Sequence, residues 1–248
     1  MTDPISTGVI TIIGTGHVFK IAEPVAFIVK NTWPDAVLIE LDEKRYKSLT
    51  SEKQERQDMR DMPKILRRSA EYQDKMSEKN DTRTGGEMLA AINSGILVGA
   101  EIICIDTDAE KVMTEMWEEM SFIERTRYNI SGVWDALFNK RGQKKLTKVP
   151  SADDKDPVDI MRKKYPTLVR KLIDERNVFM ADKIRKASEH RSNIIVVVGD
   201  AHVKGISKLL EDKEIRTIRL YEILDKESLD KVKSRIWNEN PGREPNES

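Results

Sequence analysis

Residues 8–13, GVITII, are apolar and β-branched and stop at Gly14. A short unbroken run of this kind predicts a strand buried on both faces. From Lys20 to Lys30 the pattern changes. Ile21, Val25, Ile28 and Val29 recur at helical spacing, and Pro34-Asp35 ends the element. Residues 36–41, AVLIEL, predict a second strand. Strand, helix and strand make a βαβ unit, which closes as a right-handed crossover with a parallel pair.

Residues 43–83 are highly charged with few apolar anchors and predict two or three exposed helices, broken at Gly85-Gly86. Glu87 to Val98 reads as a helix with Met88, Leu89, Ile92 and Ile96 on one side and Gly99 as its terminator. Residues 101–105, EIICI, predict a third strand ending at Asp106. Residues 108–138 read as helical, with Met113, Met116, Trp117, Met120, Phe122 and Ile123 filling a core or a helix–helix contact. Residues 139–157 read as a basic, then acidic, loop. Tyr165-Pro166 opens a long helix to about His190, and NIIVVV (193–198) is a fourth strand. A helix over 202–210, a strand over 215–220 and a helix over 226–237 follow. The fold class expected is α/β: a mixed sheet built from βαβ units at both ends of the chain, with helical insertions at roughly 43–98 and 107–190. Residues 1–237 read as one domain and 238–248 as a disordered polar tail.

Composition narrows the function classes. Lys+Arg and Asp+Glu both number 43 in 248 residues. A neutral balance removes the general electrostatic reason to expect nucleic acid or an anionic membrane as partner. The single cysteine, Cys104, lies in an apolar run; it excludes an internal disulfide, reads as a small buried hydrophobe and fits a reducing compartment. The start, MTDPISTG, does not read as a signal peptide, and the apolar runs fall well short of the ~20 residues that span a bilayer. A cytoplasmic location is therefore expected. The partner expected is a peptide or small-molecule substrate. The stripe Met113, Met116, Trp117, Met120 packs on the chain's own sheet or builds a homodimer.

The beginning and end of the chain echo each other. ITIIGTGHVFKI (10–21) and VVVGDAHVKGI (196–206) share an apolar strand followed by Gly-x-small-His-Val. Two copies among only three histidines point to equivalent strand–turn–helix units with His17 and His202 at one sheet edge. Gly14 and Gly199 are read as sharp turns out of the strands. Ligands of open α/β sheets sit beyond the carboxyl ends of the strands. There the sequence also places Glu40, Asp42, Asp106 and Asp200. Glu40 stands inside an apolar strand, where a carboxylate is costly unless it is paired or binds a metal. Its two readings are a site residue and a salt bridge at the strand end. His190 reads as a helix cap or surface residue.

On the long helix, Leu168, Val169, Leu172, Ile173, Phe179, Met180 and Ile184 define one broad face. At 100° per residue Arg176 falls near its middle, Glu175 and Asn177 on its borders, and Lys183 within it. A buried arginine cannot neutralise itself and needs acceptors. Arg176 is therefore expected to pair with Glu40 or Glu175, as part of a site or as a structural ion pair.

These motifs resemble the TraB/PrgY family. The resemblance runs through GTGHVFKIAEPVAFIVKNTWPDAVLIELDEKRYKSL, GGEMLAAINSGILVGAEIICID, LVRKLIDERNVFMADKI and VVVGDAHVKGI, from about residue 8 to 220. That family is grouped with the TIKI and GumN proteins, and more distantly with erythromycin esterases and ChaN-like proteins. TIKI members are described as metal-dependent proteases that use two GxxH motifs and a glutamate. The resemblance implies His17, Glu40 and His202 as the central site, with Glu175, Arg176 and Asn177 matching the helix motif and Arg45 the arginine after the ELD strand. The chain departs from the pattern in Thr107, where arginine is usual, and in GDAH for the commoner GxGH. PrgY members continue into a membrane-spanning C-terminal region, so a role in membrane-associated pheromone control is not carried over.

The function expected is metal-dependent hydrolysis of a peptide bond. His17 and His202 would supply imidazoles and Glu40 or Glu175 a carboxylate to Mn, Co, Zn or iron, with coordination positions left open. The other carboxylate would be the general base and Arg176 the oxyanion or carbonyl partner. Two other classes stand beside it: a metal-free esterase-like hydrolase with a histidine base, and a regulatory module that binds peptide without cutting it.

Overall fold

A computed structural model of the chain describes residues 8–16, 19–51, 85–131 and 156–240. In chain order the elements are β1 (Val9–Thr15), α1 (Ala22–Thr32), β2 (Ala36–Ile39), α2 (Glu43–Thr50), α3 (Gly86–Leu97), β3 (Glu101–Cys104), α4 (Ala109–Glu119), α5 (Phe122–Ser131), α6 (Pro157–Lys164), α7 (Pro166–Val169), a π-helical turn (Arg170–Glu175), α8 (Arg176–Ala187), β4 (Asn193–Gly199), α9 (Asp200–Leu209), β5 (Glu214–Ile218), α10 (Leu220–Leu224) and α11 (Lys226–Glu239).

The strands form one sheet in the order β3-β2-β4-β1-β5, parallel in every pairing. The α/β class read from the sequence holds. β1, β2 and β4 occupy the centre because their side chains are apolar on both faces, which only a doubly covered sheet accommodates. The edge strands β3 and β5 carry exposed Glu101 and Glu214. One face is covered by α1, α3, α10 and α11 around Ile13, Ile28, Val37, Ile195 and Ile236. The other is covered by α8 and α9 around Ile12, Leu38, Met180, Val196 and Ile206. No helix among the described residues is long and apolar enough to cross a membrane.

Several boundaries differ from expectation. β1 runs on through Gly14 to Thr15, since Gly14 pairs with Val198 and Thr15 with Gly199. Gly14 is thus not a turn. It is a close approach: a methyl there would overlap Asp200 Oδ1 and come within 3.0 Å of Val203 Cγ2. Gly199 likewise has an ordinary negative φ of −56° as it leads into α9. On α3 the buried side is Glu87, Met88, Ala91, Ile92, Ser94 and Gly95, and Ile96 faces outward. Small residues at 91, 94 and 95 let the helix sit close to the sheet, which rotates Ile96 away from it. Cys104 is only half-buried, and its thiol is pushed up to about 11 by that burial and by Glu43 and Asp42.

Within the stretch expected to be helical over 108–138, the described residues form two helices, α4 and α5. Met120 is extended, and Ser121 with Glu124 caps the second: Ser121 Oγ accepts the Glu124 N–H (3.2 Å) and Glu124 Oε2 the Ser121 N–H (3.4 Å). Met113, Met116 and Met120 pack on Tyr165, Leu168 and Val169 of the same chain, not on the sheet, with Trp117 partly buried beside them. Phe122 and Ile123 are exposed instead. A helix not expected from the sequence, α6, starts inside the stretch read as a loop. α11 extends through Glu239, so Asn238 and Glu239 belong to a helix and not to a tail. The segments 52–84, 132–155 and 241–248, with their expected helices, loop and tail, lie outside the described residues.

The long helix does not keep a constant 100° per residue. Its π-helical turn inserts one residue and rotates everything beyond it. Asn177, Met180, Ala181 and Ile184 face inward, while Val178 and Phe179 are exposed and Lys183 lies over the Phe179 ring. The turn is held by Lys171, whose ammonium reaches Glu115 (3.3 Å), Glu119 (2.7 Å) and Glu175 (3.0 Å). Hydrogen bonds to Glu119 and Glu175 raise the Lys171 pKa above the ordinary ammonium range.

Candidate functional site

Three chain segments meet beyond the carboxyl ends of β2, β3 and β4. Glu40 directly follows β2, and its N–H still donates to Val197 O (3.0 Å), so the sheet fixes where its side chain starts. Asp106 lies two residues beyond β3, positioned by Ile105 N–H to Ile39 O (3.0 Å) and Asp106 N–H to Leu41 O (3.2 Å). His202 is in the first turn of α9, immediately after β4. Asn177 and Arg176 enter from α8, where the rotation at the π-helical turn buries Asn177 and leaves Arg176 at the border of the inward face.

Arg176 joins the two carboxylates. Its Nε donates to Asp106 Oδ1 (2.9 Å) and its Nη2 to Asp106 Oδ2 (2.7 Å) and to Glu40 Oε1, while Nη1 donates to Leu172 O (3.1 Å). Four of its five N–H groups are thereby committed. Asp106 also accepts the Thr107 N–H (2.8 Å) and lies 3.4 Å from Arg45 Nη1. Glu40 Oε2 accepts the Gly199 N–H (2.5 Å) and Oε1 lies 3.4 Å from His202 Nε2. The other ring nitrogen, Nδ1, is 2.7 Å from Asn177 Oδ1. Glu40, Asp106, Asn177 and His202 are all buried.

Burial alone would raise the pKa of Glu40. The positive charge that His202 carries when both ring nitrogens are protonated, the charge of Arg176, and the hydrogen bonds from that protonated ring and from Gly199 outweigh it and hold the carboxyl well below its usual range. Arg176 is raised for the complementary reason: burial opposes its charge, and Glu40 and Asp106 more than restore it. The cluster is thus a fixed anion–cation–anion array with a histidine on one flank.

Of the residues expected at the site, Glu40, Arg176, Asn177 and His202 are in mutual contact. Arg45 stands at the rim, its side chain 41% exposed. Glu175 is outside the cluster, exposed and bonded to Arg170 (2.6 Å) and Lys171 (3.0 Å). Of the three residues expected at or beside the core face of the long helix, Arg176 and Asn177 reach the site and Glu175 points away from it. Asp42 caps α2 by accepting the Arg45 N–H (2.9 Å). His17 lies outside the described residues; β1, which leads to it, ends with Thr15 beside Gly199. His190 is exposed at the end of the long helix.

Sequence reasoning missed one neighbouring pair. Arg219 grips Asp200 through Nε (2.9 Å) and Nη2 (2.7 Å), and Asp200 Oδ1 also accepts the Leu220 N–H (2.9 Å). The signal was a strand boundary: with β5 ending at Ile218 rather than 220, Arg219 joins the polar residues at strand ends.

The donor set bears on a metal. Among the described residues no three His, Cys, Asp or Glu converge as ligands. Glu40 Oε1 and His202 Nε2 do form one edge of a site. Their 3.4 Å separation is the span of two donors each about 2.1 Å from a tetrahedral cation. The residues present fit such an ion in part, and a further donor would have to come from elsewhere.

Over 221 aligned residues the chain is 29% identical to an uncharacterized protein of Methanocaldococcus jannaschii, covering 83% of this chain and 54% of that protein. It thus spans about half the length of the curated relative it matches. Glu40, Asp106, Arg176, Asn177 and His202 all fall within residues 2–219, which match the TraB/PrgY/gumN family, and the chain belongs to that family.

Proposed function

We propose that this protein is a metal-dependent hydrolase of peptide bonds, with His17, His202 and Glu40 holding the ion and Arg45 facing the substrate. The observation that carries the reading is the buried Glu40 Oε1–His202 Nε2 edge of 3.4 Å at the carboxyl end of the sheet. A divalent Mn, Co or Zn ion, if held there, would supply Lewis acidity and lower the pKa of a bound water. The protein's own part is to keep Glu40 anionic and immobile. Arg176 and the Gly199 N–H do this, each using one lone pair of a different oxygen and leaving capacity on both.

The geometry favours different roles from those expected for two residues. Arg176 has one N–H group left and acts as the clamp on Glu40 and Asp106. Arg45, more exposed and 3.4 Å from Asp106, is the cation placed to meet a substrate carbonyl or carboxylate. Glu175 takes no part. The grouping of the TraB/PrgY family with TIKI proteins, described as metal-dependent proteases, supports the peptide class.

The test is turnover of a peptide library at about pH 7.5, before and after dialysis against a strong chelator, then with Mn or Co added back. Loss and restoration of cleavage are expected. Full activity in the metal-free protein overturns the reading in favour of a metal-free hydrolase with His202 as base. Peptide binding without turnover under any metal moves it to a regulatory module.

A further inference from the structure

Both ring nitrogens of His202 face an oxygen, but only one of the two contacts is a hydrogen bond when the ring is neutral. Nδ1 faces Asn177 Oδ1 at 2.7 Å and Nε2 faces Glu40 Oε1 at 3.4 Å. A carbonyl-type oxygen only accepts, so the Asn177 contact needs the ring proton on Nδ1. A neutral ring in that form turns a lone pair, not a proton, toward Glu40. The amide oxygen reaches the ring because α8 and α9 approach closely at Gly205, one helical turn beyond His202 on the same face. A methyl built at Gly205 would overlap Asn177 Nδ2 and stand 3.0 Å from its Cγ. Helix interiors disfavour glycine, so the space that Gly205 leaves for Asn177 is the reason for it here.

We propose that Asn177 and Gly205 together set the tautomer of His202, fixing the proton on Nδ1 and presenting the Nε2 lone pair to whatever lies between it and Glu40. Asn177 is the positioning residue. Gly205 is the clearance that admits it. A hydrogen bond to one imidazole nitrogen decides which nitrogen is left to bind or to accept a proton. The tautomer stands independently of the proposed chemistry; only the use made of the lone pair rests on that reading. Were the amide turned over, Nδ2 would donate to Nδ1 and the ring proton would sit on Nε2, pointing at Glu40.

Full-length, chelator-dialysed protein labelled with 15N-histidine separates these cases. Two-bond 15N–1H correlation, at a pH where the rings are neutral, reads which nitrogen keeps its proton. His17→Gln and His190→Gln assign the signals. The native protein and Asn177→Asp, which can only accept, should both show His202 protonated at Nδ1. Gly205→Ala should lose that preference, keep its helical circular dichroism and bind Mn2+ about 10–100-fold more weakly. An Nε2 proton in the native protein overturns the proposal, as does a switch from Nε2 to Nδ1 in Asn177→Asp. So does a folded Gly205→Ala with unchanged tautomer and Mn2+ affinity. If Gly205→Ala does not fold, the native and Asn177→Asp spectra still decide. A native protein with the Nδ1 proton that fails to bind Mn2+, Co2+ or Zn2+ counts against the metal reading and leaves the tautomer assignment in place.

Discussion

Asp106 holds Arg176 through both carboxylate oxygens, at 2.9 and 2.7 Å, and Arg176 in turn reaches Glu40. Two buried anions are therefore joined by one buried guanidinium. Arg176→Met removes that cation and leaves Asp106 with the rim Arg45 and the Thr107 N–H, and Glu40 with the Gly199 N–H and His202. Breaking a buried pair on one side costs about 3–5 kcal/mol, so chemical denaturation should show a loss of that size. Arg176→Met/Asp106→Leu should regain part of it, because one stranded charge has gone too. A single variant within about 1 kcal/mol of the native protein, the figure for an exposed pair, would show that the cluster is open to water.

Glu175 offers a contrast with Glu40. The two were interchangeable by residue type, but Glu175 is spent on Arg170 and Lys171 on the outer side of the helix. Glu175→Gln should leave peptide turnover and Mn2+ affinity within about twofold of native, while Glu40→Gln should abolish both. Steady-state kinetics and calorimetry on the two variants check this. Equal losses would return Glu175 to the site.

Gly14 provides a test of the neighbouring latch. A methyl there would overlap Asp200 Oδ1 and crowd Val203, inside a strand wholly covered on that side. Gly14→Ala should destabilise the protein by about 1–3 kcal/mol, the usual cost of overpacking. It should do so by pushing Asp200 off Arg219. If that is the cause, Gly14→Ala and Arg219→Met should be strongly non-additive in a double-mutant cycle. Additive losses would place the strain elsewhere.

The sheet was legible because its signal is local. Val9–Ile13, Ala36–Ile39 and Ile194–Val198 are apolar on both faces, and the repeated Gly-x-x-His marked β1 and β4 as equivalent before their pairing was known. The helix break at Ser121 was legible too, since Ser-Phe-Ile-Glu is a capping box, but apolar residues on both sides of it, Met116 and Met120 before and Phe122-Ile123 after, read as one helical stretch. The π-helical turn was not legible. It goes with a contact far along the chain, Lys171 meeting Glu115 and Glu119 from another helix. Without it, a constant helical angle buries Phe179 and turns Glu175 inward, both opposite to what is found. The Asp106–Arg176 fork was visible as two candidates, a strand-end carboxylate and a buried arginine, 70 residues apart. Nothing local joined them, and choosing Glu40 or Glu175 as the partner of Arg176 overlooked the third carboxylate.

The lowered pKa of Glu40 predicts how stability depends on acid. Burial works against its charge, and His202, Arg176 and the Gly199 N–H overcome that. In the unfolded chain a glutamate titrates near ~4.3. The native pKa is lower, so the folded state binds fewer protons than the unfolded one over the interval between the two values. Stability therefore rises with pH across that interval. The contribution of Glu40 is complete above the unfolded value and is lost as pH falls through the native one. Urea denaturation from neutral pH downward should show an acid limb beginning near ~4.3 and steepening below it. Glu40→Gln should be less stable than the native protein at neutral pH, because an amide neither neutralises Arg176 nor accepts as strongly from Gly199. Its stability should also change less across the acid limb, so the two curves converge as pH drops. Parallel curves, separated by a constant amount down to about pH 3, would mean that Glu40 has an ordinary pKa and that the other carboxylates carry the acid limb.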